Sequence, residues 1–215
     1  MMKAVLFDLD GTLLDTLVDI ASCVNLIRAE LDLPPHPKDA YKHFVGDGLR
    51  ELLVRAFPAR VLRGPGLRAR ARRFEELYEE HAMDETRPYP GVARMLDGVV
   101  RRGLPMAVVS NKPQRFTEAC VDKLLPRWRF AVVRGERPQV PLKPDPTAPL
   151  AAARAMKTAP RDMLYLGDTS VDMRAARNAG MFAVGALWGF RGEAELRASG
   201  AQALIRRPGE LLARL

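Results

Sequence analysis

The stretch Ala4-Val5-Leu6-Phe7-Asp8-Leu9-Asp10-Gly11-Thr12-Leu13-Leu14-Asp15-Thr16 decides how the rest of this 215-residue chain is read. Four apolar residues in an unbroken run, cut off by acidic residues and a glycine, are too few for a helix and lack the alternation of a half-exposed strand. They read as a strand buried on both faces, as in a parallel sheet. Asp8 and Asp10 then lie at the strand's carboxyl end, where open α/β sheets bind their ligands. Two carboxylates this close repel each other unless a proton or a cation sits between them. A magnesium ion, which prefers oxygen donors, would serve. Gly11 lets the backbone turn sharply and frees amides for an anion.

Working outward, similar apolar runs occur at residues 106–109, 131–133, 163–166 and 182–187. Helix-period segments fill most of the intervals, at 91–102, 116–125, 147–156 and 171–179, the last stopped by Gly180. This alternation predicts an α/β fold with a doubly wound, Rossmann-like parallel sheet. One interval breaks the rhythm. About 95 residues separate Asp10 from Met106, far more than one crossover helix needs. They read as helices at 17–31, 48–57 and 67–83. Pro34, Pro35 and Pro37 make the first break, and Gly64-Pro65-Gly66 the second. The expected organisation is a core made of residues 1–15 and 84–215, with residues 16–83 inserted as a helical cap.

Three further clusters carry chemistry. Val109-Ser110-Asn111-Lys112-Pro113 ends the second strand, and the Ser110 hydroxyl and Asn111 amide can donate to phosphate oxygens. Leu142-Lys143-Pro144-Asp145-Pro146 holds an ammonium in a proline-stiffened loop, where it can neutralise a phosphoryl group. Gly167-Asp168-Thr169-Ser170-Val171-Asp172 follows a later strand and brings two more carboxylates. Any one of these alone reads as a turn, a loop or a helix cap. Together, in the order acid pair, hydroxyl, lysine, acid pair, they supply a nucleophile, an acid/base, metal ligands and anion stabilisers.

On these motifs the chain resembles the haloacid dehalogenase superfamily, and within it the phosphoglycolate phosphatase-like group with a helical cap after the first motif. Val45-Gly46-Asp47-Gly48-Leu49-Arg50 resembles a cap loop of that group. The resemblance implies a magnesium-dependent phosphatase acting on a small phosphorylated metabolite, with 2-phosphoglycolate as the family-level substrate. Asp8 would be the nucleophile of an aspartyl-phosphate intermediate, and Asp10 the general acid and then the base. Gly11, Thr12, Ser110, Asn111 and Lys143 would bind the transferred group. Magnesium would be held by Asp8, by Asp10 through its carbonyl, by Asp168, and by Asp172 directly or through water. Arg50 would meet a carboxylate on the leaving group.

The rival readings are a phosphomutase, a dehalogenase and a non-catalytic binding module on the same fold. Residues 17–20 lack the histidine that mutase relatives carry there, and dehalogenases lack the second aspartate that Asp10 provides. Charge clustered as it is around Asp8 and Lys143 would be a cost to a mere scaffold.

The remaining composition narrows partners. The net charge of +8 and the run Arg60, Arg63, Arg68, Arg70, Arg72 and Arg73 raise the question of nucleic acid. No aromatic residues interleave with that run, so a solvated helix face is expected and nucleic acid is not. No apolar run approaches membrane-spanning length, and residues 1–7 do not form an export signal, which makes the cytoplasm the expected compartment. A monomer or homodimer is expected. Cys23 and Cys120 read as buried reduced thiols. His36, His43 and His81 lack zinc-ligand spacing. Trp128, Trp188 and Phe190 read as packing or loop anchors, Asp15 as a helix cap, and Asp145 as a support of the Lys143 loop.

Overall fold

The computed structural model describes residues 2–215. After β1 (Ala4–Phe7) and the short β2 (Leu14–Asp15) the chain turns helical, through α1 (Leu17–Ala29), α2 (Tyr41–Phe44), α3 (Leu49–Ala56), α4 (Ala59–Leu62) and α5 (Gly66–His81). It returns through β3 (Arg87–Pro88) and then alternates: α6 (Val92–Arg101), β4 (Met106–Pro113), α7 (Gln114–Leu124), β5 (Val132–Glu136), α8 (Thr147–Ala155), β6 (Met163–Gly167), α9 (Ser170–Asn178), β7 (Phe182–Ala186), α10 (Glu193–Ala198) and β8 (Ala203–Ile205).

Six strands form one parallel sheet in the order β5-β4-β1-β6-β7-β8, which is the α/β class expected. The winding runs outward from β1 in both directions, so the order reverses beside β1. The crevice at such a reversal is where α/β sheets take ligands. Here the carboxyl ends of β4, β1 and β6 stand side by side.

Residues of β1 alternate between two cores. Val5 and Phe7 pack with Met95, Leu96 and Val99 of α6, while Ala4 and Leu6 pack with Ala152 and Ala153 of α8 and Met173 and Ala176 of α9. All four β1 residues are fully buried. At about 1.5–3 kcal/mol for each large apolar side chain, this two-sided burial pins the strand that presents Asp8.

The helices between β2 and β3 have a core of their own. Leu17, Ile20 and Val24 of α1 meet Leu53 of α3 and Phe74 and Tyr78 of α5, with Phe116 of α7 and Phe190 joining from the sheet side. The two chain connections pair as an antiparallel ladder, Leu14 with Pro88 and Asp15 with Arg87. Buried Asp19 on α1 fastens the return segment. Its carboxylate accepts from Glu85 N at 3.0 Å, Thr86 N at 2.9 Å and the Thr86 hydroxyl at 2.6 Å.

Several elements differ from the sequence reading. The strand expected at 131–133 is β5 (Val132–Glu136), a half-buried edge strand that runs on through Arg134 and Glu136. β8 is three residues long and gives no periodic signal, and α10 before it is only six. Both cysteines are free and buried, and burial pushes the Cys23 thiol up to about 12. In the arginine run, Arg73 forks onto Glu30, the closer contact at 2.7 Å, and Arg72 leans toward Glu76. Trp128 anchors its loop by donating to Asp97 at 2.8 Å. Among the described residues no helix is long and apolar enough to cross a membrane.

Candidate active site

Asp8 leaves the end of β1 with its side chain buried, and Lys143 meets it there. The Lys143 ammonium donates to Asp8 Oδ1 at 2.6 Å, to Asp172 Oδ1 at 2.7 Å and to the Val109 carbonyl at 3.0 Å. Its three N–H bonds are thus all in use. Burial works against its charge, but Asp172 and Asp8 outweigh burial and hold its pKa well above the ordinary value.

Asp168 ends β6 on the other side of β1. Its Oδ1 accepts from the Thr12 hydroxyl at 2.8 Å and its Oδ2 from Phe190 N at 2.8 Å. Asp172 sits at the third position of α9 in a capping box with Thr169, whose N and Oγ reach Asp172 Oδ2 at 3.1 and 2.7 Å. Oxygens of Asp8, Asp168 and Asp172 lie within 4.8 Å of one another. Crowding of buried carboxylates shows in their proton affinity. Burial, reinforced by Asp172 and opposed by Lys143, pushes Asp8 up to about 7. Burial, with Asp8 and Asp172, holds Asp168 well above its ordinary value.

Asp10 turns the other way. Its carboxylate accepts from Lys112 Nζ at 2.8 and 3.1 Å, and the same ammonium donates to the Tyr78 hydroxyl of α5 at 2.8 Å. The Asp10 side chain is therefore outside the acidic cluster, which leaves only its backbone carbonyl for a metal. Nothing in the motif Ser110-Asn111-Lys112 assigns Lys112 a role. Only coordinates show that a lysine two residues past Ser110 bridges the acid and the helical insert. As with Lys143, burial opposes the Lys112 charge, and Asp10 and Tyr78 raise its pKa above the ordinary value.

The structure brings together Asp8, Asp10, Ser110, Asn111, Lys143 and Asp172, which all line one cavity between the sheet end and the helical insert. Asp168 stands directly behind it. Four expected substrate contacts are engaged otherwise or lie outside the cavity. Gly11 has its amide tied to Leu14 O at 2.9 Å, so it is not free for an anion. Its φ of +84° and the Asp168 carboxylate packed against its Cα, where a Cβ would collide, explain the glycine instead. Thr12 spends its hydroxyl on Asp168. The Asn111 amide donates to Gly46 O at 3.1 Å and Lys143 O at 3.0 Å, and its oxygen accepts from Lys143 N at 2.8 Å. Both donors are consumed in clamping the lysine loop, so its side chain has none left for phosphate. Arg50 is exposed and pairs with Glu51 away from the cavity, because the α3 face it occupies points to solvent.

Of the lone residues, Trp188 anchors the first loop by donating to Thr12 O at 3.0 Å. Asp145 accepts from Thr147 N at 2.8 Å at the start of α8. Asp15 reaches Leu17 N only at 3.4 Å, too long for an effective cap. His36 contacts Ala56 O at 3.1 Å, His81 meets Asp84 at 2.9 Å, and His43 is exposed away from the cavity.

A sequence profile of the haloacid dehalogenase-like hydrolases matches residues 5–186. The N-acetylmuramic acid 6-phosphate phosphatase of Pseudomonas aeruginosa is 32% identical, over 98% of this chain and 93% of that protein. The phosphoglycolate phosphatase of Chromobacterium violaceum is 33% identical, over 88% of this chain and 86% of its own. A solved structure of a predicted phosphoglycolate phosphatase from Haemophilus somnus superposes with a TM-score of 0.91, covering 99% of this chain and 97% of that one. At 24% identity this is likeness of fold.

Proposed function

We propose, from the premise that the chain belongs to the haloacid dehalogenase-like hydrolases, that this phosphoric monoester hydrolase depends on magnesium and works through a phosphoryl group carried on Asp8. One observation supports this reading above the others. Lys143 holds the buried Asp8 and Asp172 carboxylates at 2.6 and 2.7 Å while Asp168 closes the same cluster. Three buried carboxylates against one ammonium leave net negative charge in a poorly solvated place, which is costly unless a cation compensates it. The all-oxygen donor set fits magnesium. Asp8, Asp168 and the Asp10 carbonyl would hold the ion, with Asp172 orienting Lys143 behind them. Bound there, it supplies positive charge to the oxygens of the transferred phosphoryl group.

The chain's own groups then divide the work. An Asp8 oxygen attacks phosphorus, forming the P–O bond to the carboxylate as the ester P–O bond breaks. Asp10, on the cavity wall, would enter this step protonated, with one oxygen released from Lys112, and give that proton to the departing alkoxide. Ser110 and Lys143 hold the phosphoryl oxygens, Lys143 passing to them the hydrogen bond it makes to Asp8. In the second half Asp10 takes a proton from water as that water attacks phosphorus, and phosphate leaves Asp8 free. Residues 16–83 act as the cap, moving on the β2–β3 ladder to admit substrate and exclude bulk water. The substrate is a small phosphorylated metabolite. The relatives' names put 2-phosphoglycolate and N-acetylmuramic acid 6-phosphate first among those to assay.

The test is phosphate release from p-nitrophenyl phosphate by chelator-treated protein, with and without added magnesium, for wild type, Asp8→Asn and Asp10→Asn. Activity restored by magnesium, lost in Asp8→Asn and slowed about 100-fold or more in Asp10→Asn is expected. Full turnover by Asp8→Asn ends the reading.

A further inference from the structure

We infer that Tyr78 is a positioning residue for the proton transfer, setting Asp10 through Lys112 whenever the helical insert lies down on the sheet. The inference rests on the phosphatase reading above and adds a link between closure of the insert and departure of the leaving group. Asp10 and Lys112 belong to the core, just past β1 and in β4, whereas Tyr78 belongs to α5 of the insert. All three line the same cavity. The Lys112 ammonium donates to Asp10 Oδ1 at 2.8 Å, to Asp10 Oδ2 at 3.1 Å and to the Tyr78 hydroxyl at 2.8 Å. Among the described residues, Tyr78 is the one insert side chain hydrogen-bonded to a core residue of the cavity.

The Lys112 side chain is only 5% exposed, so a donor without a protein partner would stay unpaired there. Proton transfer requires one Asp10 oxygen to let go of the ammonium and turn to the ester oxygen. Tyr78 is what keeps Lys112 anchored while that happens. Its hydroxyl holds one N–H, and its ring face lies 4.6 Å from Nζ, a second favourable contact for the charge. The ring is itself held in place. Phe74 stacks on it at 5.1 Å, and Phe116 of the core helix α7 meets it edge-on at 5.1 Å. Arg115 of α7 also pairs with Glu75 and Glu79 of α5, at 3.0 and 3.3 Å, but these pairs are exposed and contribute little. The buried contacts of Tyr78 therefore fix where α5 meets the acid. A raised insert takes hydroxyl and ring away together, so Asp10 is set for proton transfer only over a closed cavity, from which bulk water is excluded.

The experiment compares kcat/KM for phenyl phosphate and 4-nitrophenyl phosphate, with magnesium present, in wild type, Tyr78→Phe, Lys112→Met and the double variant. This constant reports the first half of the reaction, in which the leaving group departs. Nitrophenolate leaves without a proton, whereas the more basic phenolate depends on the acid. Tyr78→Phe keeps the ring and its packing. It is expected to lower kcat/KM for phenyl phosphate about tenfold more than for the nitro ester. Lys112→Met should show the same bias or a larger one. The double variant should be no more biased than Lys112→Met alone, because Tyr78 acts through that lysine. A merely structural role would slow both esters alike, and the ratio is read within each protein, so a general loss of activity does not mask it. Equal losses on the two esters, in either single variant, overturn the inference. So does a double variant whose bias is the product of the two single biases. If no ester is hydrolysed in an Asp8-dependent way, the phosphatase reading itself has failed, which is a separate and recognisable result.

Discussion

Replacing Asp8 by asparagine should make the metal-free protein more stable while abolishing its turnover. Burial raises the Asp8 carboxyl from 3.8 to about 7, so the folded protein binds this proton more tightly than the unfolded chain does. Between about pH 4 and pH 7 folding therefore takes up a proton, and this group's contribution to stability falls as pH rises. A rise of that size corresponds to about 4 kcal/mol by the time Asp8 is ionised in both states. An asparagine avoids that cost, and its amide oxygen still accepts from Lys143. Loss of the charge-assisted part of that bond returns about 1 kcal/mol. The net gain is about 3 kcal/mol, or roughly 6–12 °C in Tm for a chain of this length. Thermal unfolding in chelator at pH 7.5 measures it directly. At pH 5 the wild-type penalty shrinks to less than half of its full size and the gap should narrow accordingly. Saturating magnesium should stabilise wild type more than the variant, since the ion binds the carboxylate that asparagine lacks. An Asp8→Asn protein that melts at or below wild type in chelator at pH 7.5 refutes the reasoning, because the cluster would then carry no uncompensated charge.

Three further outcomes are expected. Lys112→Met leaves Asp10 without its ammonium partner and should lower kcat by about 10–100-fold, with Lys112→Arg recovering part of it, as steady-state kinetics on one ester will show. Gly11→Ala pushes a methyl group into the Asp168 carboxylate at a backbone φ of +84°, so the magnesium concentration for half-maximal activity should rise about tenfold or more in a metal titration. Asp19→Ala strands two backbone N–H groups and the Thr86 hydroxyl, and should cost about 2–4 kcal/mol in urea unfolding, with Asp19→Asn losing less.

The sheet and the polar half of the cavity were legible in the sequence for the same physical reason. A strand buried on both faces must be written as an unbroken apolar run, and a side chain that reaches the crevice must stand at its carboxyl end. Ala4–Phe7 followed by Asp8 satisfies both conditions, as does Met163–Gly167 followed by Asp168. What could not be read was the direction in which neighbours of those positions turn. Thr12, Gly11 and Asn111 look like phosphate contacts because they follow the motif, yet their donors close on Asp168, Leu14 and the Lys143 loop. Lys112 is the converse case, a residue within a quoted motif whose partner, Tyr78, lies 34 positions away on another element.

The apolar wall of the cavity was hidden for a different reason. Ile20, Val45, Leu49, Leu52 and Phe74 are scattered over three helices and a loop, and each also packs in the core of the helical insert. A wall defined by the absence of charge leaves no mark in a sequence, because an apolar residue facing a cavity is written the same way as one facing a neighbour. The resemblance of Val45–Arg50 to a cap loop points to Arg50, while the residue before it, Leu49, is the one that reaches the cavity. The catalytic half of such a site needs particular functional groups in a particular order and can be read along the chain. The apolar half needs only shape and dryness, which arise when α1, α3 and α5 close over the sheet.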